Sequence, residues 1–291
     1  AIAVSDQSKR INMPELPEVE TVRRALAPVL TQHYVTAAFV GRDDLRWPLP
    51  KNLAGQLVGR QFTNVDRRGK YVLMHLDQQD ILLLHLGMSG SIRIYDTPPS
   101  LGKHDHIMLT MAASPTAAPR HYIVLNDPRR FGWVDLFSAT HQDHHKLLRH
   151  MGPEPLGNAF SAAHLQTVFT GRQGPVKNAL LNQQLIAGIG NIYASEALFH
   201  AGVSPRRKAA TIVGQRAERL ATAIVKTLRA AIEDGGTSLR DHVQPGGEIG
   251  YFVQRLAVYG RDGQACQACT TPIKMIVQSG RSSFYCPRCQ R

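Results

Sequence analysis

Cysteine is scarce: four occur in 291 residues, all between positions 266 and 289. A disulfide-built scaffold is therefore excluded for the preceding chain. Long apolar runs are missing too. No stretch approaches the roughly 18 residues a membrane helix needs, and no basic amphipathic helix stands apart from the rest. The first twelve residues, AIAVSDQSKRIN, lack the apolar centre of a secretory signal. Acidic residues fall short of basic ones, 22 against 34, giving a formal net charge of +12 and a pI near 9.9. Such an imbalance predicts a polyanionic partner whose phosphates release counterions on binding. The expectation is a cytoplasmic protein acting on nucleic acid, with no membrane association. Nothing reads as an obligate subunit interface, so the expected state is a monomer.

The cysteines pair as Cys266-x2-Cys269 and Cys286-x2-Cys289. Two tight turns of this kind on facing hairpins complete a tetrahedron of thiolates, so the spacing predicts a zinc ribbon holding one structural ion. Two disulfides or a redox pair are the competing readings.

At this length two domains with separate cores are expected. KYVLMHL (70–76), DILLLHL (80–86), SIRIY (91–95), HIMLTMA (106–112), HYIVLND (121–127) and GWVDLFS (132–138) are short and apolar or alternating, and predict antiparallel strands. Before them, Pro17 suits a helix start, and Val19, Val22, Leu26 and Val29 share a face until Pro28 closes the pattern. HMGPEPLG (150–157) reads as a linker. FSAAHLQTVF, VKNALLNQQLIA, NIYASEALFHAG and QRAERLATAIVKTLRAAIEDG then carry helical spacing. The fold class is α+β: one helix with an antiparallel sandwich, a helical domain, and the ribbon.

Several short motifs carry chemistry alongside plainer readings. In LIAGIGNIYASEALF, Gly188 and Gly190 permit an unusual turn and Asn191 is a good N-cap, which makes either a phosphate site or an ordinary helical turn. Arg172 and Lys177 flank a Gly-Pro turn, as phosphate contacts or as solvated charges. In NDPRRFGW, Arg129 and Phe131 have the composition of a wedge that replaces a displaced base, and Met88 is a similar apolar probe. Core packing is the alternative for Met88 and Phe131. Lys70, behind Arg67 and Arg68 at a strand start, has a pKa that burial or like charges would lower. NMPELPEVET (12–21) places Glu15 and Glu18 beside Met13 and Pro14, which helix initiation alone does not explain.

Together, PELPEVET, RRGKY, HLGMSGS, KHDH, DPRRFG, GPEPL, GIGNIYASEALF and RSSFYCPRCQ occur in an order that resembles the bacterial formamidopyrimidine-DNA glycosylase family across residues 13–291. The sister family of endonuclease VIII typically opens PEGPE, whereas Leu16 and Val19 follow the first pattern. The resemblance implies a bifunctional glycosylase and lyase that excises 8-oxoguanine and formamidopyrimidines from duplex DNA in base excision repair. The alternatives are an oxidised-pyrimidine enzyme and a non-catalytic DNA-binding protein. It also implies a layout: an extension (1–12) outside the active enzyme, a catalytic β-sandwich (13–145), a linker (146–157), a helix-two-turn-helix domain (158–256) and the zinc ribbon (257–291).

Residue roles follow from the same resemblance. The Pro14 nitrogen would be the nucleophile, with Glu15 the acid/base at the sugar ring oxygen and its pKa raised by burial. Glu18 would organise the site. Lys70 would assist lesion binding and elimination, and Arg281 would grip phosphate and donate a proton. Met88, Arg129 and Phe131 would fill the gap left by the everted nucleotide. His104, Arg129, Arg172, Lys177 and Asn191 would hold phosphates. The stretch QPGGEIGYF (244–252) would close over the everted base. Two departures stand out. Thirteen residues precede Pro14, and an acylated proline nitrogen has no lone pair available for attack, so activity requires translation from Met13 or cleavage of the extension. Gln173 and Gly174 also differ from many relatives near Pro175.

Overall fold

The computed structural model describes residues 13–237 and 251–291. The extension 1–12 and most of the stretch expected to close over an everted base lie outside them. The described residues form two compact units: 13–150 with 234–237 and 251, and 151–233 with 252–291.

The first unit opens with helix α1, Leu16–Leu30. Leu16, Val19, Val22, Leu26 and Leu30 recur at helical spacing and are fully or almost fully buried. Pro28 does not end this helix, contrary to the sequence expectation. It lies inside the last turn, where only one ladder bond is forfeited, and the Thr31 N–H closes the helix on the Ala27 carbonyl at 2.9 Å. The short helix α2 is Leu53–Leu57.

Strands β1 (Tyr34–Val40), β6 (Asp105–Ala112), β7 (His121–Asn126) and β5 (Ser91–Tyr95) form one antiparallel sheet in that order. Strands β2 (Phe62–Arg68), β3 (Tyr71–Leu76), β4 (Asp80–His85) and β8 (Trp133–Ser138) form the other. Side chains from both sheets and from α1 and α2 share one hydrophobic core, which makes the pair a sandwich. All six expected strands are present. β1 and β2 were not foreseen; β2, FTNVDRR, is mostly polar and buries residues three apart, and a register shift falls inside each strand, at Val35/Ala37 and at Phe62/Asn64.

The second unit contains α3 (Ala162–Phe169), α4 (Val176–Leu180), α5 (Asn191–His200) and α6 (Gln215–Glu233). The apolar run 176–187 was expected to be one helix, but it breaks after Leu180. Gln183 turns inward there, donating to the Leu181 and Ile189 carbonyls and accepting the Gly188 N–H. A hairpin of β9 (Lys274–Gln278) and β10 (Arg281–Tyr285) closes the chain. No described helix is long and apolar enough to cross a membrane.

Phe62 is fully buried in the sandwich core. Phe62→Ala is expected to cost about 3–5 kcal/mol of stability, measured as a lower urea midpoint with an unchanged slope.

Candidate active site and metal centre

The start of α1 is built around a carboxylate. Glu15 is the N-cap and pairs with Glu18 in a capping box, with the Glu15 N–H donating to Glu18 Oε2 at 3.0 Å. Glu18 Oε1 accepts both the N–H and the hydroxyl of Thr237 at 2.8 Å. Gly236 (φ +82) packs so closely that a Cβ there would lie 3.0 Å from Glu18 Oε1. Pro14, Glu15 and Glu18 are all buried. Two distant pieces of chain thereby immobilise the backbone next to Pro14.

Lys70 lies in the β2–β3 turn rather than at a strand start, and is buried. His85, at the end of β4, has its pKa pushed down to about 4 by burial first, then by the charges of Lys70 and Arg46. Its Nδ1 accepts the Gly87 N–H at 3.0 Å, which leaves the proton of the neutral ring on Nε2. Sequence reasoning gave this histidine no role.

Met88 occupies the turn between β4 and β5 and is half-buried, while Phe131, between β7 and β8, is exposed. The Arg129 guanidinium sits 4.8 Å from the Phe131 ring centroid. Core packing, the plainer reading of Phe131, is not what the structure shows. Beneath these turns lies the fully buried Asp127, another residue that sequence reasoning missed. It accepts from Ser89 Oγ at 2.6 Å and from the Gly132 N–H at 2.7 Å. His104, half-buried, accepts the Asp127 N–H on its carbonyl at 2.9 Å.

In the second unit, Gly188 has φ +81, whereas Gly190 (φ −130) is extended and takes the N-cap of α5. Asn191 is therefore the first helical residue and not the cap. Its Nδ2 reaches the Tyr259 hydroxyl at 3.4 Å. Glu196, fully buried, accepts the N–H groups of Ala257, Val258 and Tyr259 at 2.8, 3.0 and 2.8 Å. Burial pushes its carboxyl pKa up, and these three bonds oppose the shift.

Arg172 is exposed, its Nε donating to the Val168 carbonyl at 2.7 Å. Lys177 is not the solvated charge of its plainer reading. It is 1% exposed, and Nζ donates to the Ser282 carbonyl and Ser283 Oγ at 2.7 and 2.8 Å. With Asn178 donating to Ser279 Oγ at 2.8 Å, α4 grips the β9–β10 hairpin. Ser279 (φ 48) and Gly280 (φ 75) form its two-residue turn, and Arg281 follows, exposed at the tip.

The Sγ atoms of Cys266, Cys269, Cys286 and Cys289 all lie within 4.8 Å of one another. Two of the separations are 4.0 Å (Cys266 to Cys289) and 3.4 Å (Cys269 to Cys286). A tetrahedron with zinc–sulfur bonds of about 2.3 Å has edges of about 3.8 Å, so the set fits one zinc ion. Four thiolates leave no position for water activation, which makes the site structural. Gln290 braces it, accepting the Cys286 N–H at 2.8 Å and donating to the Val203 carbonyl at 2.9 Å.

Three family models match the chain: "Formamidopyrimidine-DNA glycosylase N-terminal domain" over 13–134, "Formamidopyrimidine-DNA glycosylase H2TH domain" over 151–243, and "Zinc finger found in FPG and IleRS" over 263–291. A formamidopyrimidine-DNA glycosylase from Jannaschia sp. (strain CCS1) is 52% identical over 289 residues, 96% of this chain and 100% of that protein. The chain belongs to the formamidopyrimidine-DNA glycosylase family. Another family member, from Roseobacter denitrificans, is 49% identical with the same coverage. Among solved structures, the MutM (Fpg) protein of Thermus thermophilus superposes with a TM-score of 0.83 at 38% identity, covering 95% of this chain and 98% of that one. A point mutant of Lactococcus lactis Fpg, in complex with Fapy-dG containing DNA, gives 0.86 at 30%, covering 96% and 100%. Wild-type L. lactis Fpg in complex with an oxidised pyrimidine containing DNA gives 0.84 at 30%, with the same coverage.

Two outcomes are expected from this geometry. Cys266→Ser should lose zinc and DNA binding together, read by metal content and by gel shift, because the ribbon folds around its ion. The His85 ring should remain neutral at pH 5.5 in imidazole nitrogen spectra, and Lys70→Met should raise its pKa from about 4 towards the ordinary 6.5. The folded ring takes up its proton later than the unfolded one, so His85's contribution to stability is present above 6.5 and lost as pH falls through about 4.

Proposed function

We propose that this protein is a base-excision-repair enzyme that removes oxidised purines from damaged duplex DNA and then cleaves the strand. The observation that carries this reading is the full-length match to relatives named formamidopyrimidine-DNA glycosylase, together with the buried Pro14–Glu15 pair at the capped start of α1.

An α-amino group titrates near pH 8, so a free Pro14 nitrogen is largely neutral and nucleophilic under physiological conditions. It attacks C1′ of the damaged nucleotide and the base departs. The resulting iminium draws electrons from C2′, which acidifies that carbon and permits β- and then δ-elimination. Glu15 exchanges the proton of the sugar ring oxygen, while Glu18 holds the backbone that carries both residues. Lys70 assists the eliminations, and its charge favours binding of the phosphodiester. Arg281, presented by the hairpin tip, grips phosphate and donates a proton in the second elimination. Met88, Arg129 and Phe131 enter the gap left by the everted nucleotide. His104, Arg129, Arg172 and Asn191 position phosphates. Lys177 belongs with them, adding its charge to the phosphate site while it grips the hairpin. The enzyme acts as a monomer on DNA in the bacterial cytoplasm.

Catalysis requires that Pro14 be the first residue. The match to the N-terminal family model begins at Met13, which supports translation from that methionine and its removal. A lesion range that includes oxidised pyrimidines has support in the L. lactis complex with such DNA. The deciding experiment is borohydride trapping on a duplex with 8-oxoguanine opposite cytosine, using one chain that starts at Ala1 and one that starts at Pro14. Only the Pro14 chain is expected to form a covalent adduct. Adducts with neither chain, with duplex binding intact, would sink the catalytic reading in favour of a DNA-binding protein. Adducts formed only on oxidised-pyrimidine duplexes would move the specificity to the sister class.

A further inference from the structure

Two turns of the first unit approach each other at backbone level. One spans residues 86–90 between β4 and β5, and the other spans 127–132 between β7 and β8. A Cβ added to Gly87 (φ +64) would lie 2.3 Å from the Phe131 carbonyl carbon, so the two main chains are in contact there. Asp127 is 0% exposed between them. Oδ1 accepts the Ser89 hydroxyl at 2.6 Å, the same Ser89 Oγ accepts the Arg129 N–H at 3.1 Å, and Oδ2 accepts the Gly132 N–H at 2.7 Å. The main chain of Asp127 is tied as well. Its N–H donates to His104, and its carbonyl accepts from His106 Nε2 at 2.9 Å and from the Arg130 N–H at 3.2 Å.

Every atom held by this carboxylate belongs to, or adjoins, a residue proposed to enter the DNA. Ser89 follows Met88, Gly132 follows Phe131, and the Arg129 N–H closes the ring. None of the three wedge side chains is used in the clamp, so they remain available to the duplex. We infer that Asp127 is a positioning residue for base eversion, its carboxylate clamping the Met88 and Phe131 turns into one rigid wedge that enters the helix as a unit.

The physical reason lies in when ordering occurs. Opening a base pair costs a few kcal/mol, and wedge residues offset that cost only to the extent that inserting them does not also require ordering two loops. A carboxylate suits the position because it accepts on both oxygens and donates on neither. Asp127→Asn must keep its oxygen on the Gly132 N–H, so its NH2 faces Ser89 Oγ: that bond is reversed, the Ser89 proton loses its acceptor and the charge-assisted strength is gone, which weakens the clamp while keeping the shape.

This inference rests on the proposed function and deepens it. The test compares the Pro14-initiated wild type with Asp127→Asn and with Ser89→Ala, the milder variant should Asp127→Asn fold poorly. Each acts on three substrates: 8-oxoguanine paired with cytosine, 8-oxoguanine in an unpaired bulge, and a preformed abasic site. Excision from the paired duplex is expected to fall about tenfold to a hundredfold in Asp127→Asn. The bulged and abasic substrates, whose opening cost is small or absent, should stay within about threefold of wild type. Ser89→Ala should show the same ordering at smaller amplitude. A uniform loss on all three substrates would mean a structural role only and would overturn the inference, as would unchanged excision from the paired duplex. A fluorescence arm needs no turnover: 2-aminopurine placed next to an 8-oxoguanine paired with cytosine should brighten, before any excision, with wild type and less with the variants. If the wild type excises nothing, the proposed function fails while this arm still decides the clamp. Equal brightening by all three proteins would overturn it.

Discussion

The arrangement at Pro14 depends on one carboxylate receiving donors from opposite ends of the chain. Glu18 takes the Glu15 N–H on one oxygen and both donors of Thr237 on the other. A helix start has unsatisfied N–H groups in any case, and an acidic residue at this position answers them while complementing the helix dipole. The same group also fixes the segment that follows α6. The buried start of α1 and the chain's return to the first unit are therefore one structural event, and a defect at either end is felt at the other.

Ionisable groups recur in this supporting role. Glu196 gathers three backbone N–H groups of the segment leading into the ribbon, Lys177 holds the hairpin backbone, and Asp127 ties two turns. Each is nearly or fully buried; Glu196 and Asp127 answer donors in loops, and Lys177 answers a carbonyl and a hydroxyl of β10. Charged partners make such hydrogen bonds worth about 1.5–3 kcal/mol each, and an orphaned buried partner costs about 1–3. Loops supported in this way resemble rigid elements in their order, which suits a protein that must distort a stiff duplex.

Much of this was legible from residue order. The six regular strands, the long helices and the thiolate ribbon announce themselves through periodicity and spacing, since each depends on side chains only a few positions apart. β2 escaped because FTNVDRR is mostly polar and buries residues three apart, without the alternation that marks a strand. The helix expected over 176–187 failed because Gln183 finds its partners in the turn around Gly188, a tertiary circumstance that helical spacing does not record. The site was unevenly visible. Motifs drew attention to Pro14, Glu15, Phe131 and Arg281, whose chemistry is local. Asp127, Glu196 and Thr237 stayed hidden because their importance lies in partners up to 219 residues away. Lys177 was misread for the same reason: a lysine beside a turn looks solvated until the hairpin that covers it is in view.

The clamp beneath the wedge has a consequence for variation. Asp127 grips main-chain N–H groups and one serine hydroxyl, and leaves the identities of residues 88 and 131 unconstrained by the mount itself. The tips are interchangeable fittings on a fixed holder. A lineage facing different lesions can swap a thioether for a branched chain, or one ring for another, without rebuilding the two turns that carry them.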